Sequence, residues 1–545
     1  MTKTRFDIVI VGYGPIGQIL ALLIGQAGYR VAAFEHYPDL YPLPRAVHLD
    51  HEALRILQAI GVIDAMRPEL SPPMMYGWHN AKGETLLLLD WTGIGPSGWH
   101  ISNFFPQPQL QTILHSRIQK LSTVEVYQGW EAIAATQQPD FITLNARNRE
   151  GEQIEVQGRY LIGADGANSF VREQMQATTI TDLGFFFDWL VVDIVPHEER
   201  EWYPAGLQIC DPARPTTLVP GGKGRRRWEF MRLPGESPEE LNHPDTVWRL
   251  LASWQITPQN ATLERHTIYT FRALWANSWR EGRFLLAGDA AHLMPPFAGQ
   301  GMCAGLRDAF NLAWKLDLVL AGRAREMLLD SYTSERLTHV QHFIHYSVEL
   351  GSIICIADEA TAAARDARML AARQNPEPAP PDTPPPLGPG ILHREDPLAG
   401  QLFIQGEVIS NGQKGLFDDV VGRGFCLIST MVNPTATLSP ALLQFFDSLQ
   451  PIIVTLTTNT MDSAGRIVDS NGTYVKWFAQ HNCTAVLVRP DFYIFGTASS
   501  QQKLSDLVND LYFQLTRSAE STLQRQDVLE GVQEEHRYKN GPIGN

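Results

Sequence analysis

The spacing of apolar residues changes several times along this chain, and each change predicts a different element. Phe6–Val11 reads FDIVIV, a continuous apolar run of β-branched type suited to a parallel strand buried on both faces. From Pro15 to Gly28 the apolar positions fall at helical spacing, and Val31–Phe34 (VAAF) predicts a second strand. The chain therefore opens with a strand–helix–strand unit. Asp50 stands at the N-cap position of a helix over His51–Ile60, and Gln107–Leu121 predicts another helix. Alternation around Thr123–Tyr127, Ile133–Ala146 and Gln153–Leu161 predicts an antiparallel hairpin system grafted onto the first sheet.

The texture then shifts. Short aromatic and β-branched runs (Trp189–Val195, Leu207–Cys210, Arg227–Leu233, His266–Phe271) alternate with Pro/Gly turns and predict a second sheet. A strand at Arg283–Ala287 and a long helix at Gly299–Leu320 return the chain to its first texture. The expected organisation is a domain over 1–177 and 282–373, interrupted by a sheet domain over 178–281. Residues 374–399 are rich in proline and are expected to form a semi-rigid spacer. A small separate α/β domain is expected over 400–520, followed by a polar, disordered tail over 521–545.

A length of 545 residues calls for more than one core, and 44% hydrophobic residues supply them. A net charge of −15 excludes the basic stripe that a nucleic-acid surface requires. The five cysteines lie far apart with no CxxC pair, which fits neither a disulfide framework nor a zinc site. No metal is expected, and a reducing cytoplasm is the simplest setting. The apolar stretch Phe6–Gly28 is broken by Gly12, Gly14, Pro15 and Gly17, so a strand and a helix explain it better than a membrane span.

Those glycines carry the first chemistry. Gly12-Tyr13-Gly14-Pro15-Ile16-Gly17 follows a strand and opens a helix. The first glycine permits the tight turn, the second admits a pyrophosphate to the backbone, and the third lets helix and strand pack closely. Glu35, with His36 beside it, ends the second strand, where a carboxylate accepts from ribose hydroxyls. The pattern predicts a bound dinucleotide without choosing between NAD and FAD. A second motif is Gly163-Ala-Asp165-Gly166 running to Arg172 after a strand. A third is Gly288-Asp289-Ala-Ala-His292, continuing through Pro295-Pro296 to Gly299-Gln300-Gly301-Met302. Asp289 is placed to bind a ribityl hydroxyl, and the helix that follows offers its positive end to an anionic ring.

In this order and spacing the three motifs resemble the aromatic hydroxylase family of single-component FAD monooxygenases. The second is similar to that family's DG motif and the third to its GD motif. Arg45-Ala46 resembles its arginine segment facing FAD, and Gln107 its flavin-contacting glutamine. Asp50–Arg55, Phe403–Gln405 and Trp477–Asn482 resemble the 3-(3-hydroxyphenyl)propionate hydroxylase group. The resemblance implies an α/β fold: a Rossmann-like FAD domain, an inserted antiparallel substrate sheet of the p-hydroxybenzoate hydroxylase type, and a C-terminal thioredoxin-like domain. It implies non-covalent FAD, with NADH or NADPH reducing it and O2 adding to give a flavin hydroperoxide that hydroxylates a phenolic ring. The partners implied are a small aromatic substrate and O2, with a homodimer left open. Lacking CxxC, the last domain is expected to be structural or an oligomer contact. Cys303 stands where many relatives carry asparagine.

Several assignments have a plainer reading. His48 lies in a segment expected near the flavin and is a candidate base for a phenol, against a hydrogen-bonded loop histidine. Phe187 and Trp189, with Pro295 and Phe297, are the expected substrate wall, against ordinary sheet core. Period-two alternation lets only about half of Phe185, Phe186, Phe187 and Trp189 face one side. Arg225-Arg226-Arg227 is a candidate anion site, against a solvated turn. Two rivals remain: an FAD-dependent dehydrogenase or halogenase on the same fold, the latter lacking its Trp-x-Trp-x-Ile-Pro segment here, and a non-catalytic flavin-binding protein.

Overall fold

A computed structural model describes residues 4–72, 74–374, 385–458 and 466–516. The first sheet is built on the strand Thr4–Val11, which pairs in parallel with Val31–Glu35 on one side and Gln153–Gly163 on the other. Its apolar run is buried throughout because the helix Pro15–Gln26 covers one face. Phe284–Leu286 pairs in parallel with the outer side of Gln153–Gly163, so the chain does return to this sheet after the second domain. One expectation needs correction. Val124–Gln128 belongs to no hairpin; it pairs in parallel with Val31–Glu35 after the crossover helix Gln107–Ile118. Alternation alone shows that a strand has two unlike faces, not which neighbour it takes. Only Trp130–Gln137 and Ile142–Asn148 form the antiparallel extension, laid against Gln153–Gly163.

The second sheet has eight strands, six of them between Ile180 and Leu293. The other two, Met75–Asn80 and Thr85–Asp90, come from ahead of 178–281 and join through a parallel pairing with Gly206–Cys210, and His292–Leu293 comes from beyond it. Their signal was present in the alternating Tyr76 and Trp78 and the turn glycine Gly83 at φ +77°. The outer face carries Leu190, Val192, Trp228 and Phe230 and is covered by the helix Pro244–Ala252. The inner face looks toward the first domain.

The C-terminal sheet has the thioredoxin-like order. Ile452–Thr457 lies parallel to Cys426–Ser429, which pairs antiparallel with Ala485–Val488, and that strand with Ile494–Ala498. The helices Pro440–Ser448, Thr473–Gln480 and Gln501–Thr516 flank it. All five cysteines are free. The domain is not set apart. Arg55 forks onto Asp418 at 2.7 and 3.0 Å and donates to the Phe403 carbonyl, while Gln405 reaches Gln58 and the Ser97 carbonyl. Deeper in, Glu335 accepts from Lys315 at 2.8 Å and Arg489 at 2.7 Å, with Asp491 on the far side of Arg489.

The expected spacer divides in two. Residues 375–384 lie outside the described residues, as does the tail over 521–545. From Leu387 onward the segment is packed, with Leu387 and Leu392 buried against Tyr493 and the Ile391 amide donating to Glu335. Among the described residues, no helix is long and apolar enough to cross a membrane, and no group of three or more His, Cys, Asp or Glu could hold a metal ion.

Candidate active site

Gly12 stands at φ +97°, a conformation that L side chains rarely adopt, and a Cβ there would lie 2.2 Å from the Ala164 carbonyl oxygen. The first and second motifs are therefore in direct backbone contact. A Cβ on Gly17 would come within 1.9 Å of the Gly12 oxygen, whereas one on Gly14 would meet nothing within 4 Å. Two of the glycines are thus required by packing, and the third faces open space at the helix N-terminus. No acidic residue occupies that helix's first turn to compete for an anion. Glu35 accepts from the Tyr13 amide at 2.9 Å, which fixes its carboxylate beside the glycine turn. His36 is exposed and pairs with Glu35.

The third motif closes on the same place. Gly288, at φ +61°, packs on Ile16, and a Cβ on Gly305 of the helix Gly301–Leu320 would lie 2.8 Å from Ile16 Cδ1. Asp308 accepts from the Gly288 amide and from His292 Nε2, and Arg336 braces its other oxygen. His292 is buried structure. Asp289 is set among protein groups and remains exposed. Burial raises its pKa, against His292 and Arg45. Asp165 turns inward: it accepts from Ser169 at 2.5 Å and the Val171 amide, serving its own loop. Gly166, at φ +81°, forms the turn beside it. Arg172 ties the two later motifs by donating to the Ala290 carbonyl at 2.7 Å.

The Pro44–Ala46 loop is held from both domains. Gln107 accepts from the Ala46 amide at 2.7 Å, and its own amide donates to Gln111. From the second sheet, Arg227 donates to the Arg45 and Pro44 carbonyls while forking onto Asp193, and Arg265 also reaches the Pro44 carbonyl. The Arg225–Arg227 run is therefore neither an anion site nor a solvated turn. Strand pairing buries Arg226 and Arg227, and Arg225 pairs with Glu264. The Arg45 side chain is exposed, lying 4.3 Å over the Tyr41 ring.

Pro296–Ala298 forms a short turn and Gly299 sits at φ +65°, where a Cβ would strike His48. His48 Nδ1 donates to the Gly299 carbonyl at 2.9 Å, because a carbonyl only accepts; Nε2 then accepts from Ser102 Oγ at 2.9 Å. Burial lowers its pKa, against the Gly299 bond and Asp50, so the ring is neutral near pH 7. Both nitrogens are spent within the protein. Gln300 accepts from Arg307 at 3.0 Å, and Arg307 is clasped by Asp50 and by Glu52 at 2.6 Å. Tyr493 of the C-terminal domain donates to Glu52, so that domain reaches the loop through three side chains. Gly301 starts the helix, Met302 packs half-buried against the core, and Cys303 fills space in the first turn.

Opposite this loop stands the inner face of the second sheet. Phe185, Phe187 and Trp189 point inward, and Phe186 points out at 62% exposure. Phe297, carried by Pro295 and Pro296, meets Trp189 edge-on at 5.6 Å and Phe271 at 5.7 Å. Tyr76 stacks on Trp91 at 4.5 Å, and Trp91 continues through Phe104 to His48. The titratable residues on the three middle strands of this face are Asp193, Arg227, Glu229, Arg265 and Tyr269. Burial pushes the Glu229 carboxyl up to about 7, opposed by Arg227 and aided by Asp193. Tyr76, Trp91, Phe104 and Glu229 escaped the sequence reading. Tyr76 and Glu229 sit at inward positions of alternating strands, a signal legible once those strands are paired.

The residues fit FAD. An uncrowded backbone at a helix N-terminus suits a pyrophosphate, and Glu35 and Asp289 are carboxylates able to accept from the hydroxyls of a ribose and a ribityl chain. His48→Ala would release the Gly299 carbonyl and strand Ser102; it is expected to cost about 1–3 kcal/mol. Urea unfolding of the holoprotein measures this, and an unchanged midpoint would contradict the assignment.

Comparison with known proteins agrees with this geometry. Residues 5–347 match the FAD binding domain family, and residues 400–514 match the HcaD C-terminal domain. A probable NADH-specific resorcinol 4-hydroxylase of Rhodococcus jostii (strain RHA1) is 38% identical over 93% of this chain and 95% of its own. A 3-(3-hydroxy-phenyl)propionate/3-hydroxycinnamic acid hydroxylase of Escherichia coli (strain K12) is 33% identical over 91% and 92%. Among solved structures, the flavin-dependent monooxygenase PieE has a TM-score of 0.77 at 19% identity, covering 94% of this chain and 99% of its own. Aklavinone-11 hydroxylase has a TM-score of 0.74 at 22% identity, covering 94% and 100%. By sequence match over most of its length, and by motifs that converge in space, this chain belongs to the FAD binding domain family of flavoprotein hydroxylases.

Proposed function

We propose that the protein hydroxylates a small, uncharged phenol, using NADH or NADPH, O2 and bound FAD. The observation that carries this reading is the aromatic cluster between the Pro296–Gly299 loop and the second sheet, where Phe297 meets Trp189 and Phe271 edge to face. FAD, when bound, supplies the oxygen chemistry; the chain's residues bind, orient and exclude water. Pro296–Gly299, pinned by His48, forms the ring-side wall. Gly14 admits the pyrophosphate, and Glu35 and Asp289 hold the hydroxyl-bearing ends. Arg45, with its backbone clamped by Arg227, is free to turn its side chain toward the cofactor. His48 is a positioning residue in this reading, with Nδ1 on the Gly299 carbonyl and Nε2 on Ser102 Oγ.

The preference for an uncharged ring rests on the charges of the inner face. Arg227 is spent on Asp193 and two carbonyls, and Arg265 on the Pro44 carbonyl and Tyr269. Glu229 adds repulsion toward a substrate carboxylate. The named relatives act on resorcinol and on 3-(3-hydroxyphenyl)propionate, both phenols substituted meta to the hydroxyl; the first is uncharged. The test is a panel of phenols and phenolic acids screened for stimulated NAD(P)H oxidation, with the product identified by mass. Resorcinol-type phenols are expected to stimulate oxidation with matching product, at least about tenfold better by kcat/KM than the phenylpropionate, a difference of about 1.4 kcal/mol. Equal or better turnover of the acid would overturn the charge argument. Flavin reduction without hydroxylated product from any phenol would return the protein to the dehydrogenases.

A further inference from the structure

We propose that Glu229 is the base that takes the substrate's phenolic proton, so that the ring meets the flavin loop as its phenolate. This rests on the phenol reading above. An electron-poor oxygen is attacked far more readily by a phenolate than by a phenol, because the oxygen's released electron pair feeds the ortho and para carbons. Some group beside the substrate must therefore accept a proton. His48 is held between the Gly299 carbonyl and Ser102 Oγ, and Asp193 is neutralised by a bidentate arginine.

Glu229 is placed differently. It lies on the strand Arg226–Met231, between Arg227 and Met231 on the inward face. Val191 and Thr217 flank it on neighbouring strands, and Trp189 stands beside Met231, one inward position further on. The residue is buried, yet its side chain keeps 10% exposure, and its nearest cation, Arg227 Nη1, stands 3.9 Å away, beyond hydrogen-bond reach. No donor within the described residues bonds its carboxylate. The arginine fork that would ordinarily claim it is already turned to Asp193 and the Pro44–Arg45 carbonyls. A carboxylate so left is costly to the fold unless something else supplies a proton.

The charged and titratable groups facing it are Arg227 on its own strand, Asp193 on one neighbour, Arg265 and Tyr269 beyond that, and Tyr76 and Cys210 across the sheet. Burial dominates their sum and keeps the carboxyl titrating near neutrality rather than near pH 4.5. Its basic form accordingly grows in as the pH rises through about 7. In the step proposed, the phenol O–H bond breaks, the proton passes to a Glu229 oxygen, and the electron pair stays on the phenolate. As the product ring regains aromaticity, the carboxyl returns a proton to that oxygen while the hydroxylated carbon releases its own to solvent.

The test uses holoenzyme and Glu229→Gln, with fluorine NMR of bound 3-fluorophenol as a readout independent of turnover. In the wild type the bound resonance is expected to move toward the phenolate position as the pH passes about 7. In E229Q it stays at the phenol position over the same range, and hydroxylation falls about 10²- to 10⁴-fold. The loss is expected to be much smaller for a polyfluorinated phenol already ionised in solution. A resonance that titrates in E229Q as in the wild type, or one equal loss for both phenols, overturns the proposal. Should E229Q fail to retain FAD, Glu229→Asp takes its place: it keeps the pH-dependent shift with a reduced rate, and a shift insensitive to pH overturns the assignment. Full hydroxylation by E229Q sinks only the role of Glu229, whereas a wild type that hydroxylates no phenol sinks the reading beneath it as well.

Discussion

Gly14→Val is expected to give a folded protein without flavin, whereas Gly17→Ala is expected to fail at folding and binding together. The two glycines are three positions apart and look alike in the motif, but their surroundings differ. A Cβ on Gly17 would sit 1.9 Å from the Gly12 carbonyl oxygen, a clash that only separation of helix from strand relieves. Gly14 has an ordinary extended backbone, φ −69° and ψ −175°, and no atom within 4 Å of an added Cβ. A side chain branching there starts in open space and intrudes where a pyrophosphate would approach. Visible absorbance of the purified proteins, with circular dichroism for the fold, separates the two outcomes. A yellow Gly14→Val protein with full FAD content would show that the cofactor lies elsewhere.

Arg307→Met is expected to fold with a large loss of stability. Arg307 is buried among Asp50, Glu52 and Gln300, and its removal leaves two carboxylates without a counter-charge. Breaking one side of such a cluster costs about 3–5 kcal/mol, mostly as the penalty of the charges left behind. Because Gln300 loses its partner too, flavin affinity should fall along with the unfolding midpoint. Chemical denaturation with and without added FAD measures both; a variant as stable as the wild type would show that Asp50 and Glu52 find other partners. The same physics sets the acid limit. Burial pushes Glu335 up, but Arg489 and Lys315 outweigh it and hold it at about 2. A carboxyl with a depressed folded pKa contributes stability above its unfolded value and loses it as the pH falls. Unfolding should accordingly set in between about pH 4.5 and about pH 2.

How much of this was legible in the chain depended on the range of the interaction. Gly12, Gly17, Gly288 and Asp289 could be recognised because turns and helix starts impose local demands that few residue types meet. Asp50 was readable as a cap for the same reason, and its carboxylate does accept from Ala53. The second role of Asp50, holding Arg307 some 257 positions away, leaves no local trace. The inward-facing aromatics were half readable: alternation separates Phe186 from its neighbours but cannot say which side meets Phe297. Tyr76 and Glu229 were hidden by topology: Tyr76 acquires an inside when Met75–Asn80 joins Gly206–Cys210, and Glu229 when Arg226–Met231 pairs with Ile180–Pro196 and Thr216–Pro220. His48 was readable as a candidate by position, while its spent nitrogens depended on Ser102 and Gly299, both distant in sequence.

The ionic joint between Glu335, Lys315, Arg489 and Asp491 bears on how the molecule can be rebuilt. Cutting the chain near residue 374 would bare a lysine–glutamate pair shaped to receive a guanidinium, and would leave Arg489 and Asp491 on an isolated fragment. A hybrid that grafts a relative's C-terminal portion onto this N-terminal half must import an arginine at the matching place, or the seam will open.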